Sequence, residues 1–303
     1  MTRDLAPIAV FAYRRKDYLA RTLDALEACP EFSRSPVTIY CDGPKPDSAA
    51  DVAAVRAMLA ARRRSNMTIV EAPSNRGLAT SIMAGVTQQC ARHGRVIIVE
   101  DDLILSPVAL TWFNQALDAY SEDARVWQVG GHQFPVPEFA QRCDGMFLDF
   151  CTSWGWATWK RAWDQFDPAA AGWQALQNDD AMRHSFSLNG AYPYAAMMEQ
   201  QMDGRLDSWA IRWWWSMFRG RGLGLHPPRS LVSNIGGNRS ATHAPSLLRQ
   251  LLTPRQAEAV DIRIPGLPPN VAVDQQAQKA LETFLRTHTN PPLWKAVLQR
   301  VGF

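Results

Sequence analysis

The sequence predicts an α/β protein built on a mostly parallel central sheet flanked by helices, and three observations point to it. Apolar, β-branched runs alternate strictly with amphipathic stretches over the first 120 residues. The runs are apolar almost throughout, as expected of strands covered on both faces. Each run stops in turn-forming or charged residues, and in a parallel sheet these ends all open onto one crevice.

Residues 7–13 (PIAVFAY) read as the first strand. Residues 17–28 follow as a helix, with Leu19, Leu23 and Leu26 at 3–4 spacing. Residues 37–41 form a second strand, stopped by the Asp42-Gly43-Pro44 turn signal. Asp47 is expected to cap a helix reaching about Arg64; residues 67–70 form a third strand and 78–91 another helix. The fourth strand, 96–99, ends abruptly in Glu100-Asp101-Asp102, and Ser106-Pro107 opens the next helix. Beyond Tyr120 the rhythm changes. Strands are expected at 126–130 and 146–150, helices at 192–202 and 207–218, and a last short strand at 223–226. Trp159 and Trp163 fall at i and i+4, which suits core positions on a helix. After about Thr253 the composition turns Pro- and Gln-rich, with short helices expected at 254–260, 275–286 and 292–301.

Composition narrows the class. With 20% charged and 47% hydrophobic residues, the chain of 303 residues is an ordinary globular protein with ample core. A net charge of +3 and one basic triplet, Arg62-Arg63-Arg64 at a helix end, give no footprint for nucleic acid. The five cysteines are odd in number and contain no CxxC pair, which argues against a disulfide framework and a zinc site and for a reducing compartment. The first residues lack a basic-then-apolar signal pattern, and no window approaches 18 uninterrupted apolar residues. The expectation is a cytoplasmic protein. Most of the twelve tryptophans lie between Trp154 and Trp215, which means a thick aromatic core or a sugar-stacking cleft.

The chemistry concentrates at the strand ends. Three adjacent carboxylates repel one another by roughly 1 kcal/mol per pair at about 4 Å even in water. Glu100-Asp101-Asp102 therefore reads either as a divalent-metal site or as an acidic turn before a helix cap. Arg14 follows the first strand, Asp42 the second and Asn75-Arg76-Gly77 the third. A cation, two acidic positions and a metal around one crevice suit a nucleotide diphosphate. Taken singly, Arg14 is also a surface charge, Asp42 a turn-former and Asn75 a helix cap. No GxGxxG follows the first strand, so a dinucleotide fingerprint is missing.

This order of strand, Asp-Gly turn, Asn-Arg-Gly helix start and Val-Glu-Asp-Asp resembles the GT-A fold of nucleotide-sugar glycosyltransferases. The triplet resembles their metal-binding DxD motif in its Glu-Asp-Asp form. It is particularly similar to that of the N-acetylglucosaminyltransferase of N-glycan processing and bacterial proteins related to it. The resemblance implies a nucleotide-binding half over 1–125 and an acceptor half over 126–245; it does not reach the tail, 246–303, which is expected from its own pattern to be a helical extension. It implies Mn²⁺ or Mg²⁺ on Asp102, ribose at Asp101 and donor sugar at Glu100. Tyr13, Arg14, Asp42, Asn75 and Arg76 would hold the nucleotide, which the resemblance implies is UDP. Gly155-Trp156 would lie below the donor sugar, Gly155 allowing a close backbone approach.

Asp207, in Gly204-Arg-Leu-Asp207-Ser-Trp209, matches the segment that carries the general base of inverting enzymes, with Asp203 and Glu199 as reserves. As a residue it also suits a helix cap, and an aromatic, poorly hydrated setting would raise its pKa. The Gly- and Ser-rich stretch 230–243 resembles the loop that orders over the nucleotide, with Arg239 or His243 at the diphosphate or metal. The implied acceptor is a glycan or lipid-linked glycan, as in lipopolysaccharide or capsule precursors. The apolar, cationic stretch 293–301 offers a peripheral contact with the inner face of the membrane. Two other readings remain open, a nucleotidyltransferase of the same fold and a non-catalytic glycan-binding protein that uses the tryptophans.

Overall fold

All five residues of the first strand, β1 (Ile8–Ala12), are buried, and their side chains divide alternately between two cores. Ile8, Val10 and Ala12 face one hydrophobic cluster, and Ala9 and Phe11 face the other. The same division recurs on β4 (Arg95–Glu100), with Ile97 and Val99 on the first side and Val96 and Ile98 on the second. A strand apolar on both faces needs helices on both faces. The computed structural model describes residues 4–236 and 263–289 and supplies them.

Between β1 and β4 run α1 (Lys16–Glu27), β2 (Val37–Cys41), α2 (Ala49–Ala61), β3 (Met67–Glu71) and α3 (Leu78–His93). Leu19 and Leu23 of α1 and Val55 and Leu59 of α2 close the first core, while Ile82 and Val86 of α3 close the second. After β4 come β5 (Leu103–Leu105), α4 (Ala109–Ala119), β6 (Val126–Gly130), β7 (Met146–Leu148), β8 (Trp156–Trp159) and the short helix α5 (Lys160–Trp163). There follow α6 (Ala175–Asn178), α7 (Asp180–Phe186), α8 (Tyr194–Met202), α9 (Trp209–Gly220), β9 (Leu223–His226), β10 (Val232–Asn234) and α10 (Gln275–Thr289).

The large sheet has the order β3-β2-β1-β4-β8-β6-β9-β7. β3, β2, β1 and β4 are parallel, β8 is antiparallel to both β4 and β6, β6 and β9 are parallel, and β7 is antiparallel to β9. The sheet is thus mixed and mostly parallel, as the sequence predicts. β5 and β10 pair separately as an antiparallel ribbon beside the end of β4.

Several local expectations need correction. Trp159 is not helical; it ends β8, a four-residue strand too short to announce itself by alternation, and Trp163 ends α5. The fully buried Trp156 begins β8. α2 begins at Ala49 with Ser48 at its cap position, so Asp47 does not cap it. The Ser48 hydroxyl is instead shared among Lys45 and the Tyr13 hydroxyl. The second expected tail helix, 275–286, exists as α10, whereas residues 254–260 and 292–301 lie outside the described residues.

Residues 263–289 are fastened to the body. Gly145 N donates to Gly266 O at 2.8 Å, Tyr120 Oη to Pro268 O at 2.6 Å and Asp274 N to Phe147 O at 2.9 Å. Ala277, Leu281, Phe284 and Leu285 of α10 join the second core. Among the described residues no helix is long and apolar enough to cross a membrane.

One glycine fixes how two strand-end loops meet. A Cβ on Gly43 would stand 2.2 Å from the Ser74 carbonyl carbon, which belongs to backbone and cannot swing aside. Gly43→Ala should cost about 1–3 kcal/mol of stability, as overpacking does. Urea denaturation is the check, and an unchanged midpoint would contradict this packing.

Candidate active site

Tyr13, Arg14, Asp42, Asn75, Glu100 and Asp101 line one crevice of about 110 Å³ at the carboxyl ends of β1, β2 and β4. The right-handed parallel arrangement brings them together although nearly ninety positions separate Tyr13 from Asp101 in sequence (the hydrogen bond between them spans 88). Lys45, Gly77 and Arg15 share the lining. Arg76 points outward and is exposed; its contribution is its backbone N–H.

Arg15 is the residue that sequence reasoning missed. Its Nη2 lies 2.5 Å from Asp101 Oδ1 and 2.7 Å from Asp102 Oδ2, so one guanidinium spans both aspartates. The signal was the pair Arg14-Arg15; Arg15 stands at the cap position of α1, where the chain turns back over the end of β4. Burial opposes the charge of Arg15, but Asp101 and Asp102 outweigh it and hold the guanidinium above its ordinary range. Asp101 also accepts from Tyr13 N at 3.3 Å, and its carbonyl accepts from Thr22 Oγ1 at 2.9 Å.

One guanidinium does not balance three carboxylates. Burial, with Asp102 and Asp101 adding repulsion, pushes the Glu100 carboxyl up to about 8. Burial likewise pushes Asp101 up to about 6, against the pull of Arg15. Among the described residues no group of three His, Cys, Asp or Glu side chains is already arranged to hold a metal. The donors nevertheless fit a hard divalent cation: they are carboxylate oxygens, and their surplus negative charge is what such an ion compensates. Asp102 is also bound by the chain that returns past it. Ile235 N donates to Asp102 O at 2.9 Å, and a Cβ on Gly236 would meet Asp102 Oδ2 at 2.0 Å. Arg239 and His243 lie outside the described residues.

Asp42 is the hub of the neighbouring loops. Its Oδ1 accepts from Gly43 N (2.8 Å) and Arg76 N (2.9 Å), and its Oδ2 from Asn75 Nδ2 (3.1 Å) and Gly77 N (3.0 Å). Asn75 is therefore tied to Asp42 rather than capping a helix. The start of α3 is fixed at the crevice as a result.

Asp207 reaches the same crevice from the other half. Its Oδ2 lies 3.9 Å from the position of a Cβ on Gly77. The cap of α9 is Ser208, which accepts from Ile211 N at 3.4 Å, so the Asp207 carboxylate is spared that duty. The setting is not the dry one expected: the side chain is 66% exposed, with Arg212 at 3.4 Å. The reserves Asp203 and Glu199 are paired with Arg205 and Arg183.

Gly155 and Trp156 sit elsewhere than the crevice lining. Gly155 has φ +58°, and the close approach it permits is by Val232 of β10, whose Cγ2 would lie 2.8 Å from a Cβ. The Trp156 ring is stacked on Trp209 at 5.0 Å in the second core.

The sequence model of glycosyltransferase-like family 2 matches residues 6–190. The chain belongs to that family. Its architecture is a large mixed, mostly parallel sheet flanked by helices, with the acidic triplet at the end of the central strand β4. Similar solved structures include a mannosyltransferase from Pyrobaculum calidifontis in complex with GDP-Man and Mn²⁺, at 16% identity over 52% of this chain and 48% of that one, TM-score 0.34. Another is the galactosyltransferase LgtC with donor and acceptor sugar analogs, at 14% identity over 95% and 99%, TM-score 0.38. A third is GalNAc-T7 with UDP, GalNAc and Mn²⁺, at 10% identity over 77% and 44%, TM-score 0.45. The chain spans about half the length of the mannosyltransferase, 48%. No curated protein matches it in sequence.

The raised carboxyls give the chain a pH signature. Between the ordinary glutamate value of 4.5 and about 8, the folded chain keeps a proton on Glu100 that the unfolded chain has released. Stability then falls as pH rises through this window, because the folded state binds more protons. Melting temperature measured without divalent cations should drop from pH 5 to pH 8, and Glu100→Gln should flatten the slope. A wild-type profile that rises over that range would contradict this assignment.

Proposed function

We propose that this glycosyltransferase moves a sugar from a UDP-sugar to a hydroxyl of a glycan or lipid-linked glycan, with a divalent cation at Asp102. The observation that carries the proposal is the charge-unbalanced triplet in a crevice beside whose Gly77 stands the exposed carboxylate of Asp207, with Arg212 at 3.4 Å as its ion-pair partner. Arg14 and Lys45 lend positive charge to the nucleotide side of that crevice, and the Asp42 hub keeps its loops in place. Gly236 beside Asp102 supports a role for the following stretch, with Arg239 and His243, at the same site.

In this reading Asp207 takes the proton from the acceptor hydroxyl as its oxygen bonds to the anomeric carbon. The bond from that carbon to the diphosphate breaks, and its electron pair leaves with UDP. Attack opposite the leaving group inverts the anomeric centre. A bound Mn²⁺ or Mg²⁺ supplies the positive charge that the departing diphosphate requires. Arg15, which bridges Asp101 and Asp102, is the positive group whose place at these carboxylates a cation at Asp102 would share. Glu100 and Asp101 then face the sugar and ribose.

Calorimetry with UDP and Mn²⁺ tests the nucleotide half. Binding should need the metal and should vanish in Asp102→Ala; metal-independent binding that survives this change would end the proposal. Asp207→Asn should retain UDP binding yet lose about 10²–10⁴-fold in transfer rate, the range of a general base. Unimpaired transfer in that variant would remove Asp207 from the role.

A further inference from the structure

A second cavity lies apart from the crevice lining, sharing none of its residues. It is a cavity of about 340 Å³, walled by aromatic and aliphatic side chains such as Phe134, Phe150, Tyr194, Trp209, Trp214 and Leu285. α10 closes one side of it through Phe284, Leu285 and His288. Its polar side chains are two histidines, two tyrosines, two serines and a threonine, and among the described residues no Asp, Glu, Asn, Gln, Lys or Arg lines it. A sugar ring carries several hydroxyls that need partners of that kind, since an unpaired buried polar group costs free energy. A stacking cleft for a glycan is therefore a poor match, and a hydrocarbon chain is a good one.

The cavity lies close to Asp207 along the chain. Ser208 and Trp209, the two residues after Asp207, form part of its wall. Consecutive Cα atoms are about 3.8 Å apart, so the Asp207 carboxylate lies within roughly a nanometre of it. Two lining residues, His132 and Thr152, carry buried polar atoms without partners, Nε2 and Oγ1. Ser230 Oγ donates to Val232 O at 2.6 Å and so receives the His132 Nδ1 proton at 3.1 Å. Burial holds His132 neutral, pushed down to about 3.

We propose that this cavity is the acceptor's subsite and receives an apolar hydrocarbon chain, so that the acceptor is an amphiphile whose reacting hydroxyl is held at Asp207. The inference rests on the glycosyl-transfer reading above. Benzene fills a cavity of about 150 Å³, so this one holds roughly a dozen carbons. Acyl and isoprenoid chains share this chemistry.

Intrinsic tryptophan fluorescence reads the cavity directly, because Trp209 and Trp214 are in its wall. The full chain is titrated, without nucleotide and below micelle concentrations, with n-alkyl β-glucosides from methyl to hexadecyl. Affinity should rise about fourfold per methylene, as for apolar burial, and level off at roughly twelve carbons. Geranyl glucoside set against n-decyl glucoside separates the sources; tighter geranyl binding assigns an isoprenoid, tighter decyl binding an acyl or alkyl chain. Ala210→Trp, which fills the cavity, should weaken decyl glucoside at least tenfold. Affinity independent of chain length, or maltotriose binding as tightly as decyl glucoside, would overturn the inference. That result beside intact metal-dependent UDP binding would leave the proposed function standing. The reverse pair of results would sink the proposed function and spare the cavity's apolar specificity.

Discussion

Three carboxylates at the end of β4 repel one another, and one guanidinium is set against them. The rest of the crevice follows from holding this group together. Arg15 spans Asp101 and Asp102, Tyr13 N and Thr22 Oγ1 bind Asp101 from the β1–α1 side, and Ile235 N binds the Asp102 carbonyl from the far side. A strand end with that much charge is tolerable only where neighbours converge on it. The parallel order of β2, β1 and β4 brings those neighbours to one edge.

The two halves of the chain contribute different physics. Over the first half, strands apolar on both faces force a layered α/β arrangement and leave polar groups only at the strand ends. The Asp42 carboxylate uses that edge as a clasp, taking two backbone N–H groups from the start of α3 and one from its own turn. Over the second half, a tryptophan-rich core carries α9, whose start delivers Asp207 to Gly77. Rigid aromatic packing behind an exposed carboxylate is a sound way to position a base, since packing fixes the backbone while water reaches the charge. The same core stops short of filling its space, and α10 closes what remains.

Much of this could be read from residues alone, for a physical reason. Buried parallel strands are long apolar runs, and Asp-Gly or Asn-Arg-Gly breaks mark their ends, so β1 to β4 and the crevice residues Tyr13, Arg14, Asp42 and Asn75 stood out. β8 did not, because Trp156-Ala-Thr-Trp159 is short and owes its strand pairing to β4 and β6 on either side. Arg15 was hidden by Arg14 beside it; composition cannot tell which of two adjacent arginines turns inward. The glycine at 155 was read as room for a ligand, whereas Val232 takes that room. Tertiary partners distant in sequence made each of these choices.

The most direct test of this account is a crystal structure of the chain with UDP and Mn²⁺. The account predicts a metal on Asp102, diphosphate against it in the crevice lined by Tyr13, Arg14 and Asp42, and Arg15 drawn away from at least one aspartate. Nucleotide bound elsewhere, or in the crevice with no metal and the Arg15 bridge intact, would contradict it.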